Sequence, residues 1–310
     1  MIRSLIYSKR VVKKSLSPFN SGDKMWIDSS NPDALELKKI CKLTGIYVSD
    51  LQKSLDQESL PRIINRKGYS MIILRALGPK RRYTPFGIFI SNKMIVTVHK
   101  KKICALEDLY ELLGGKEGKE FFSNGLTYLF FRISSYVNKR YHTELDRLED
   151  EIDQLEDDIL DGKMDKPSKI FDLKGKVMHL RRALNTNRNL VDLISGGYSK
   201  YIKEKNNNWL SELKIETDQV VSITELLRER LTGAMEMYMS SVSNKLNDIM
   251  RGFTVVASLL LLPMLISGIW GMNFANIPFF DSQFGFYIPL LIMLISVISM
   301  SVYFKVKKWA

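Results

Sequence analysis

The sequence predicts an α/β domain followed by a long helical stalk and two transmembrane helices, and three observations lead to this fold class. Two segments, Phe253 to Trp270 and Phe286 to Phe304, contain no Asp, Glu, Lys or Arg and approach the roughly 20 residues that a bilayer-spanning helix needs. No proline occurs between about Leu210 and Pro263, so one helix is predicted to continue into the first span. Before Gly118, strand and helix patterns alternate instead.

Residues 1–120 are predicted to form a small α/β layer domain. The predicted strands cover Ile2 to Ser8, Val11 to Leu16, Met25 to Asp28, Tyr69 to Leu77, and Phe86 to His99 with a turn at residues 91–93. Residues 29–33 are expected to cap a helix through Leu43, and Ser49 with Asp50 to cap a shorter helix. The basic start of the chain also resembles an organellar transit peptide, an alternative that the strand pattern disfavours.

Residues 121–208 are predicted to form an antiparallel helical hairpin. Five apolar residues repeat at alternating spacings of three and four and form a packing seam: Leu145, Leu148, Ile152, Leu155 and Ile159. Residues 162–168 interrupt the first helix, Lys169 to Ile194 form the return helix, and a turn follows at 195–197. The acidic face between Glu144 and Asp161 has two interpretations, a solvated surface or a loose cation-collecting surface.

The distribution of lysine and arginine predicts the topology. Lys245 and Arg251 precede the first span and a basic tail, residues 305–310, follows the second, whereas the loop at 271–285 contains only one charged residue, Asp281. Because Lys and Arg favour the cytoplasmic side, both termini are expected in the cytoplasm of a multi-pass plasma-membrane protein. The stalk and first span occupy residues 209–270, and the second span occupies 286–304.

Polar and small residues follow one face of the predicted stalk and first span. They are Glu236, Ser240, Ser243, Asn247, Met250, Thr254, Ala257, Leu261 and Met264, at intervals of three or four. Ordinary helix packing explains Leu261 and Met264 equally well, but it explains Glu236 and Asn247 less well. Two spans cannot enclose a channel, so a pore-lining stripe requires several copies around an axis.

Composition excludes several classes of protein. The net charge of +12 comes from scattered basic residues without a nucleic-acid motif, so attraction to an anionic membrane surface is favoured and no nucleic-acid partner is expected. Cys41 and Cys104 are expected to be buried and reduced, and the three histidines show no ligand spacing. No phosphate-binding loop or nucleophile motif occurs, so neither an enzyme nor a bound cofactor is expected.

The residues that end the first span resemble a known signature. Trp270-Gly271-Met272-Asn273-Phe274 is similar to the Gly-Met-Asn motif of the CorA family of divalent-cation channels, and the match includes Met239 to Asn247 and the tail Lys307-Lys308-Trp309. The resemblance implies a funnel-shaped homopentamer whose first span lines the pore and whose second span faces lipid. It also implies passive uptake of Mg²⁺, with Co²⁺ and Ni²⁺ as further candidate ions.

The same resemblance implies a selectivity filter at Gly271, Met272 and Asn273. A ring of Asn273 carbonyl groups would accept hydrogen bonds from the water shell of Mg²⁺, which dehydrates reluctantly, so the ion is held through its hydration shell. Gly271 is expected to permit a tight turn at the helix end, and Met272 to pack. In register with the family, Asn247 forms a polar ring, Met250 and Phe253 lie near a hydrophobic constriction, and Glu236 surrounds the cytoplasmic mouth.

One position departs from the family pattern. Lys53 stands where family members carry an acidic residue that binds a regulatory divalent ion between subunits, and Glu212 is the approximate partner position. Since charged lysine cannot ligate Mg²⁺, a contact between Lys53 and Glu212 of neighbouring subunits is the hypothesis for this site. Two other functions stay open: a zinc transporter of the ZntB type, and a membrane-anchored scaffold or sensor that conducts nothing.

Overall fold

The computed structural model describes residues 2–8, 11–14, 22–79, 83–115, 118–164, 166–203, 208–273, 284–307 and 309. The chain divides into two compact units. The first comprises Met1–Asp157 with Lys166–Ala234, and the second comprises Asp158–Asp165 with Met235–Ala310.

A seven-stranded sheet forms the centre of the first unit. Its strands are β1 Ile2–Ser8, β2 Val11–Lys14, β3 Lys24–Ser30, β4 Arg62–Asn65, β5 Ser70–Leu77, β6 Tyr83–Ile90 and β7 Met94–His99. They lie in the order β2-β1-β3-β7-β6-β5-β4, and only β3 and β7 pair in parallel. The strands predicted from sequence are confirmed, with two differences. The second is described only as far as Lys14, and β4 was not predicted.

Two short helices lie in the segment between β3 and β4. Helix α1, Ala34–Thr44, begins with a capping box in which Asp33 accepts from the Glu36 backbone N–H at 2.7 Å, as predicted. Helix α2, Val48–Leu55, has Tyr47 at its N-cap, two residues before Ser49, so the capping role predicted for Ser49 and Asp50 is wrong. The reason is tertiary: the buried Asp50 carboxylate is held by Arg66 and by the hydroxyl of Tyr69.

The first core lies under α1 and α2. Alternate residues of the strands point to these helices, including Met25 and Ile27 of β3 and Val96 and Val98 of β7, and all four are buried. Gly87 of β6 lies directly below α2, where an added Cβ would come within 2.4 Å of the Ser54 Cβ. The glycine therefore lets the helix approach the sheet closely.

Long helices complete the first unit. Two short helices come first, α3 Cys104–Leu113 and α4 Gly118–Ser123. The two long helices follow, α5 Leu126–Leu160 and α6 Ser168–Ser195. All five seam residues of α5 are at most 2% exposed, which confirms the predicted helical packing. Both cysteines are free, but the expectation that they are buried is wrong, because Cys41 is only half-buried and Cys104, the first residue of α3, is exposed.

Polar contacts attach α5 and α6 to the sheet at Arg75 of β5. The Asn187 side chain accepts from the Arg75 backbone N–H at 2.9 Å and donates to its carbonyl at 2.8 Å. The Tyr141 hydroxyl donates to the same carbonyl at 2.9 Å. These hydrogen bonds satisfy the backbone N–H and carbonyl groups of Arg75, and they hold the end of β5 against both helices.

The last two helices are those predicted to cross the membrane. Helix α7, Trp209–Trp270, is continuous over 62 residues, and helix α8 covers Tyr287–Val306. Both are long and apolar enough to span a bilayer. The fold class predicted from the sequence is confirmed, whereas the predicted division into domains stays a prediction.

Candidate functional site

The end of α7 places the three predicted filter residues. Trp270 is its last residue, the Gly271 backbone N–H donates to the Ser267 carbonyl at 2.9 Å, and Met272 donates to Ile269 at 3.3 Å. Gly271 does not adopt a positive φ, so a left-handed conformation is not what this position requires of a glycine. A Cβ at this position would lie 3.1 Å from the Ser267 carbonyl oxygen, so the glycine permits close approach to the preceding turn.

Asn273 is exposed and follows directly on this turn. Its side chain is a neutral amide, which supplies one carbonyl acceptor and two N–H donors. Residues 274–283 lie outside the described part of the chain, and so does the predicted loop charge at Asp281. Asn273 is therefore the last described polar group on the continuation of α7.

The predicted stripe lies on an open face of α7. All its members are exposed in the single chain: Glu236, Ser240, Ser243, Asn247, Met250, Thr254, Ala257, Leu261 and Met264. Within the apolar segment the buried and half-buried positions are Val255, Ser258, Leu259, Leu262, Pro263, Ile266 and Trp270. At 3.6 residues per turn, these two sets lie about 150° apart around the helix axis. The stripe is thus turned away from the face that packs within the chain.

Two residues refine the stripe. Phe253 is 68% exposed but lies about 60° from Met250 and about 100° from Thr254 around the helix axis, so it borders the stripe. Gly268 is exposed and continues the line one turn beyond Met264, although the sequence prediction ended there. The open face therefore reaches the turn that carries Gly271.

Polar groups in the apolar segment are mostly satisfied along the helix. The Thr254 hydroxyl donates to the Met250 carbonyl at 2.8 Å, which leaves its oxygen available as an acceptor. Pro263 lies inside α7 and has no N–H, so the Leu259 carbonyl loses its usual helical donor. The Thr254 oxygen lies on the stripe, whereas Pro263 is half-buried and lies off it.

The described residues contain no group of three or more His, Cys, Asp or Glu side chains placed to hold a metal ion. A resident metal site of the usual kind would need such a set of ligands. An ion that contacts the stripe must instead meet single groups: the Glu236 carboxylate, an amide or a hydroxyl. Such groups become a ring only when several copies of the chain surround one axis.

The acidic face of α5 is largely paired with basic side chains. Arg230 of α7 contacts Asp153 and Glu156 at 2.5 Å each, and Arg147 contacts Glu144 at 2.7 Å and also pairs with Glu151. These ion pairs occupy carboxylates that a cation-collecting surface would need free. The structure therefore favours the alternative of a solvated and salt-bridged helix face.

The two residues of the predicted regulatory contact lie on the first unit. Lys53 is half-exposed at the end of α2, with its Nζ 3.6 Å from Asp50 Oδ1. Glu212 is exposed in the first turn of α7. No hydrogen bond or ion pair joins these two side chains within one chain, so a contact between them requires a second copy.

Two long apolar helices, with an open polar stripe on the first, define this chain as a two-span membrane protein. The sequence profile described as CorA-like Mg²⁺ transporter protein matches residues 21–308. The chain belongs to the CorA family, whose members are divalent-cation transporters and not enzymes.

Named relatives and solved structures agree with this assignment. The chain is 31% identical to the cobalt/magnesium transport protein CorA of Methanocaldococcus jannaschii over 92% of this chain and 91% of the relative. The complete structure of the CorA magnesium transporter from that organism aligns with a TM-score of 0.88 at 30% identity, covering 100% and 99% of the two chains. A zinc transport protein ZntB of Pectobacterium atrosepticum is 23% identical over 86% of this chain and 82% of its own length.

Proposed function

We propose that the chain forms a homopentameric plasma-membrane channel for passive uptake of hydrated Mg²⁺, with both termini in the cytoplasm. Co²⁺ and Ni²⁺ are further candidate ions. The lipid bilayer and the other four copies are the partners that this assembly requires, and α8 is the helix expected to face lipid. Ion selection is assigned to Gly271, Met272 and Asn273, with one Asn273 amide contributed by each copy.

The observation that carries this proposal is the continuity between the open stripe and the filter residues. The stripe from Glu236 to Gly268 lies on one uninterrupted helix that ends at Trp270, one residue before Gly271. A helix that only anchors a domain has no need of a polar face directed away from its own packing contacts. Symmetric copies would turn this face inward and place Asn273 at the pore entrance.

The chemistry of Asn273 suits a hydrated divalent ion. Mg²⁺ keeps its octahedral water shell, so a selective group must accept hydrogen bonds from bound water. An amide carbonyl does this without the negative charge that would hold a divalent ion tightly and slow its release. Met272 is 49% exposed and is a soft ligand unsuited to Mg²⁺, so its role is assigned to packing between copies.

The remaining stripe supplies alternating polar and apolar levels below the filter. Asn247 and Thr254 offer amide and hydroxyl groups, whereas Met250 and the bordering Phe253 present large apolar side chains on an exposed surface. An apolar ring of this kind can gate a pore by excluding water. Glu236 would surround the cytoplasmic end with carboxylates, which attract a cation leaving the pore.

Transport on this mechanism needs no nucleotide hydrolysis. An inside-negative potential contributes about 2.3 kcal/mol per charge per 100 mV, hence roughly 4.6 kcal/mol for a divalent ion. At a potential of about 100 mV, this free energy alone makes the equilibrium concentration of Mg²⁺ inside more than a thousandfold higher than outside. The channel therefore has to supply selectivity and closure.

The test is Mg²⁺ uptake into proteoliposomes containing the full chain, followed with an internal Mg²⁺-sensitive dye. The parent should conduct, Asn273→Ala should lose most of the flux, and cobalt hexammine, whose ligand shell does not exchange, should block the parent. Asn244→Ala is the matched control, because Asn244 is an exposed asparagine of α7 outside the stripe. Flux that survives in Asn273→Ala and resists cobalt hexammine would contradict the filter assignment.

The same assay separates the two alternatives. Zinc flux without magnesium flux would favour the transporter class to which the ZntB relative belongs. A chain that is silent for both ions and is not pentameric by mass measurement in detergent would favour a scaffold or sensor.

A further inference from the structure

The first unit contains a cavity of about 740 Å³ that the transport function does not use. Its walls come from four parts of the chain: the segment after α2, the ends of β5 and β6, the residues after β7, and helices α5 and α6. Cavities of roughly 300 to 1,000 Å³ are the size of sites that bind small organic molecules. The volume therefore suits a ligand larger than a single inorganic ion.

The lining of this cavity carries an excess of positive charge. Arg75, Lys101 and Arg182 line it, and none of the three has an ion-pair partner in the part of the chain that the structure describes. The other two cations of the lining are already paired, Arg147 with Glu144 and Lys176 with Glu151. The lining also includes two carboxylates, Glu144 and the exposed Glu58, so five cations face two acids. Three of these cations share one concave surface without an ion-pair partner among the described residues.

A neutral donor strengthens the case for an acceptor-rich ligand. The Gln57 side chain accepts from the Thr84 hydroxyl through Oε1, while its buried Nε2 has no acceptor among the described residues. A buried N–H without a partner is unfavourable, and an acceptor supplied by a ligand would remove this cost. Gln57 lines the cavity together with the three unpaired cations.

A solvated cationic surface is the simpler explanation for basic residues in general, because Lys and Arg are stable in water without partners. It does not explain why the unpaired cations come from a strand, a loop and a helix that meet at one concavity. Nor does it explain the apolar wall beside them, formed by Leu60, Pro61 and Tyr83. A lining that combines cationic and apolar side chains suits an organic anion.

We propose that this cavity binds a nucleoside polyphosphate. Two arginines and a lysine suit the charge of a phosphate chain, since guanidinium groups bind phosphate oxygens in pairs and the lysine ammonium acts as a point charge. The apolar wall with the Tyr83 ring provides a surface for a base, and the Gln57 Nε2 donor faces the same space. A bound ligand would contact β5, α6 and the segment after α2 together.

The test measures binding of a fluorescent ATP analogue to the purified full chain in detergent, by anisotropy, with EDTA present to remove divalent ions. Saturable binding is expected, and Lys101→Gln and Arg182→Gln should each weaken it about tenfold, because each removes one charged contact at a partly exposed site. The matched control is Lys174→Gln, which removes one exposed charge from α6 outside the cavity. It should leave the affinity unchanged.

Competition identifies the part of the ligand that is recognised. Tripolyphosphate should displace the analogue, whereas adenosine at the same concentration should not, because the cations bind the phosphate chain. Absence of saturable binding, equal weakening by Lys174→Gln and Arg182→Gln, or displacement by adenosine alone would overturn the proposal. Thermal unfolding of each variant without ligand shows whether a loss of binding reflects a loss of fold. The binding assay does not measure ion flux, so its outcome is independent of the proposed transport function.

Discussion

Lys53 lies with its Nζ 3.6 Å from Oδ1 of Asp50, one turn earlier on the same helix. The Asp50 carboxylate already accepts hydrogen bonds from Arg66 Nε at 2.9 Å, from Arg66 Nη2 at 3.0 Å and from the Tyr69 hydroxyl at 2.7 Å. Burial alone would raise the pKa of Asp50, but these hydrogen bonds and the nearby positive charges outweigh it and lower the pKa. Lys53 is thus a peripheral partner of a satisfied carboxylate, and its 49% exposed side chain is available to another acid.

The first prediction concerns closure of the channel through Lys53 and Glu212 of a neighbouring copy. If this ion pair replaces a bridging metal, Lys53→Ala should weaken closure at low ionic strength, while closure of the parent should respond weakly to cytoplasmic Mg²⁺. Exposed ion pairs are screened by salt, so the difference between variant and parent should shrink as salt increases. Single-channel or proteoliposome flux at several Mg²⁺ and salt concentrations measures this.

Two further variants make the test of this contact specific. Lys39→Ala removes an exposed lysine from α1 and should behave as the parent. The double charge reversal Lys53→Glu with Glu212→Lys should restore closure that either single reversal weakens, because it rebuilds the pair with opposite polarity. Identical gating of Lys53→Ala and the parent under all conditions would rule out the contact.

The second prediction concerns the direction that the stripe faces in the assembled protein. Ala257 and Val256 are adjacent and both exposed in the single chain, but only Ala257 lies on the stripe. In a pore, a cysteine at 257 should react with a water-soluble cationic thiol reagent and block Mg²⁺ flux. A cysteine at 256, turned about 100° away, should face protein or lipid and leave flux unchanged.

The experiment requires a background without native cysteines, because Cys104 is exposed and would itself react. Replacing Cys41 and Cys104 by serine provides it, and flux of this background before and after the reagent is the control. Block at position 256 with no block at 257 would place a different face of α7 in the pore.

Local sequence patterns predicted most of the fold. The α5 seam, the helix cap within residues 29–33 and the two apolar helices each depend on a pattern within one continuous stretch of about 20 residues or fewer, and the structure has each of them. The strand β4 was missed because Arg62–Asn65 contains only two apolar residues and follows Pro61. Its strand character comes from pairing with β5, which the segment itself does not encode.

Features that depend on tertiary contacts could not be predicted in the same way. Asp50 has the sequence context of a helix cap, yet it is buried because Arg66 and Tyr69 reach it from 16 and 19 residues away. The cations of the cavity, Arg75, Lys101 and Arg182, are separated widely in sequence and look like scattered surface charge. Only the folding of β5, the segment after β7 and α6 brings them to one concavity.

The third prediction concerns Arg230, which joins α7 to the acidic face of α5. Its guanidinium group contacts three carboxylates, those of Asp153 and Glu156 at 2.5 Å and that of Glu149 at 3.7 Å. The hydrogen bonds that Arg230 donates to Glu156 and Asp153 raise its pKa above the usual value for arginine. Arg230→Met keeps the side-chain volume but leaves these acids facing one another, so it should lower the free energy of unfolding by about 1 kcal/mol at a partly exposed site.

Thermal unfolding of the detergent-purified chain measures the effect of Arg230→Met. Arg228→Met is the matched control on the same helix, because Arg228 pairs only with Glu225, three residues earlier, among the described residues. Its effect should be smaller, since a single exposed pair within one helix contributes little. Equal effects of the two substitutions would show that the Arg230 cluster does not stabilise the packing of α7 against α5.

The fourth prediction concerns the pH dependence of stability through Asp28, a buried carboxylate on β3. It accepts hydrogen bonds from Thr97 Oγ1 at 2.6 Å and from Arg3 Nε at 2.9 Å, and it lies 3.2 Å from His99 Nε2. Burial alone would raise the pKa of Asp28, but the hydrogen bonds from His99 and Thr97 and the charges of His99 and Arg3 lower it below its usual value.

The sign of the effect follows from this lowered pKa. The unfolded chain takes up the Asp28 proton near the ordinary pKa of about 3.9, at a higher pH than the folded chain does. The stabilisation is therefore fully present above that pH and is lost as the pH falls through the folded-state pKa. Asp28→Asn should be less stable than the parent by about 2 kcal/mol at pH 7, because Arg3 loses its ionic partner in a buried setting.

Thermal unfolding of the parent and of Asp28→Asn between pH 7 and about pH 3.5 checks this prediction. The gap between the two proteins should stay constant above about pH 5 and narrow below it, as the parent alone loses the contribution of the carboxylate. Asp33→Asn is the matched control, because Asp33 is an exposed helix cap for which asparagine is an equally good residue. A gap that persists unchanged to the lowest pH would mean that the Asp28 charge does not stabilise the folded state, and that hydrogen-bond geometry alone accounts for the effect of the substitution.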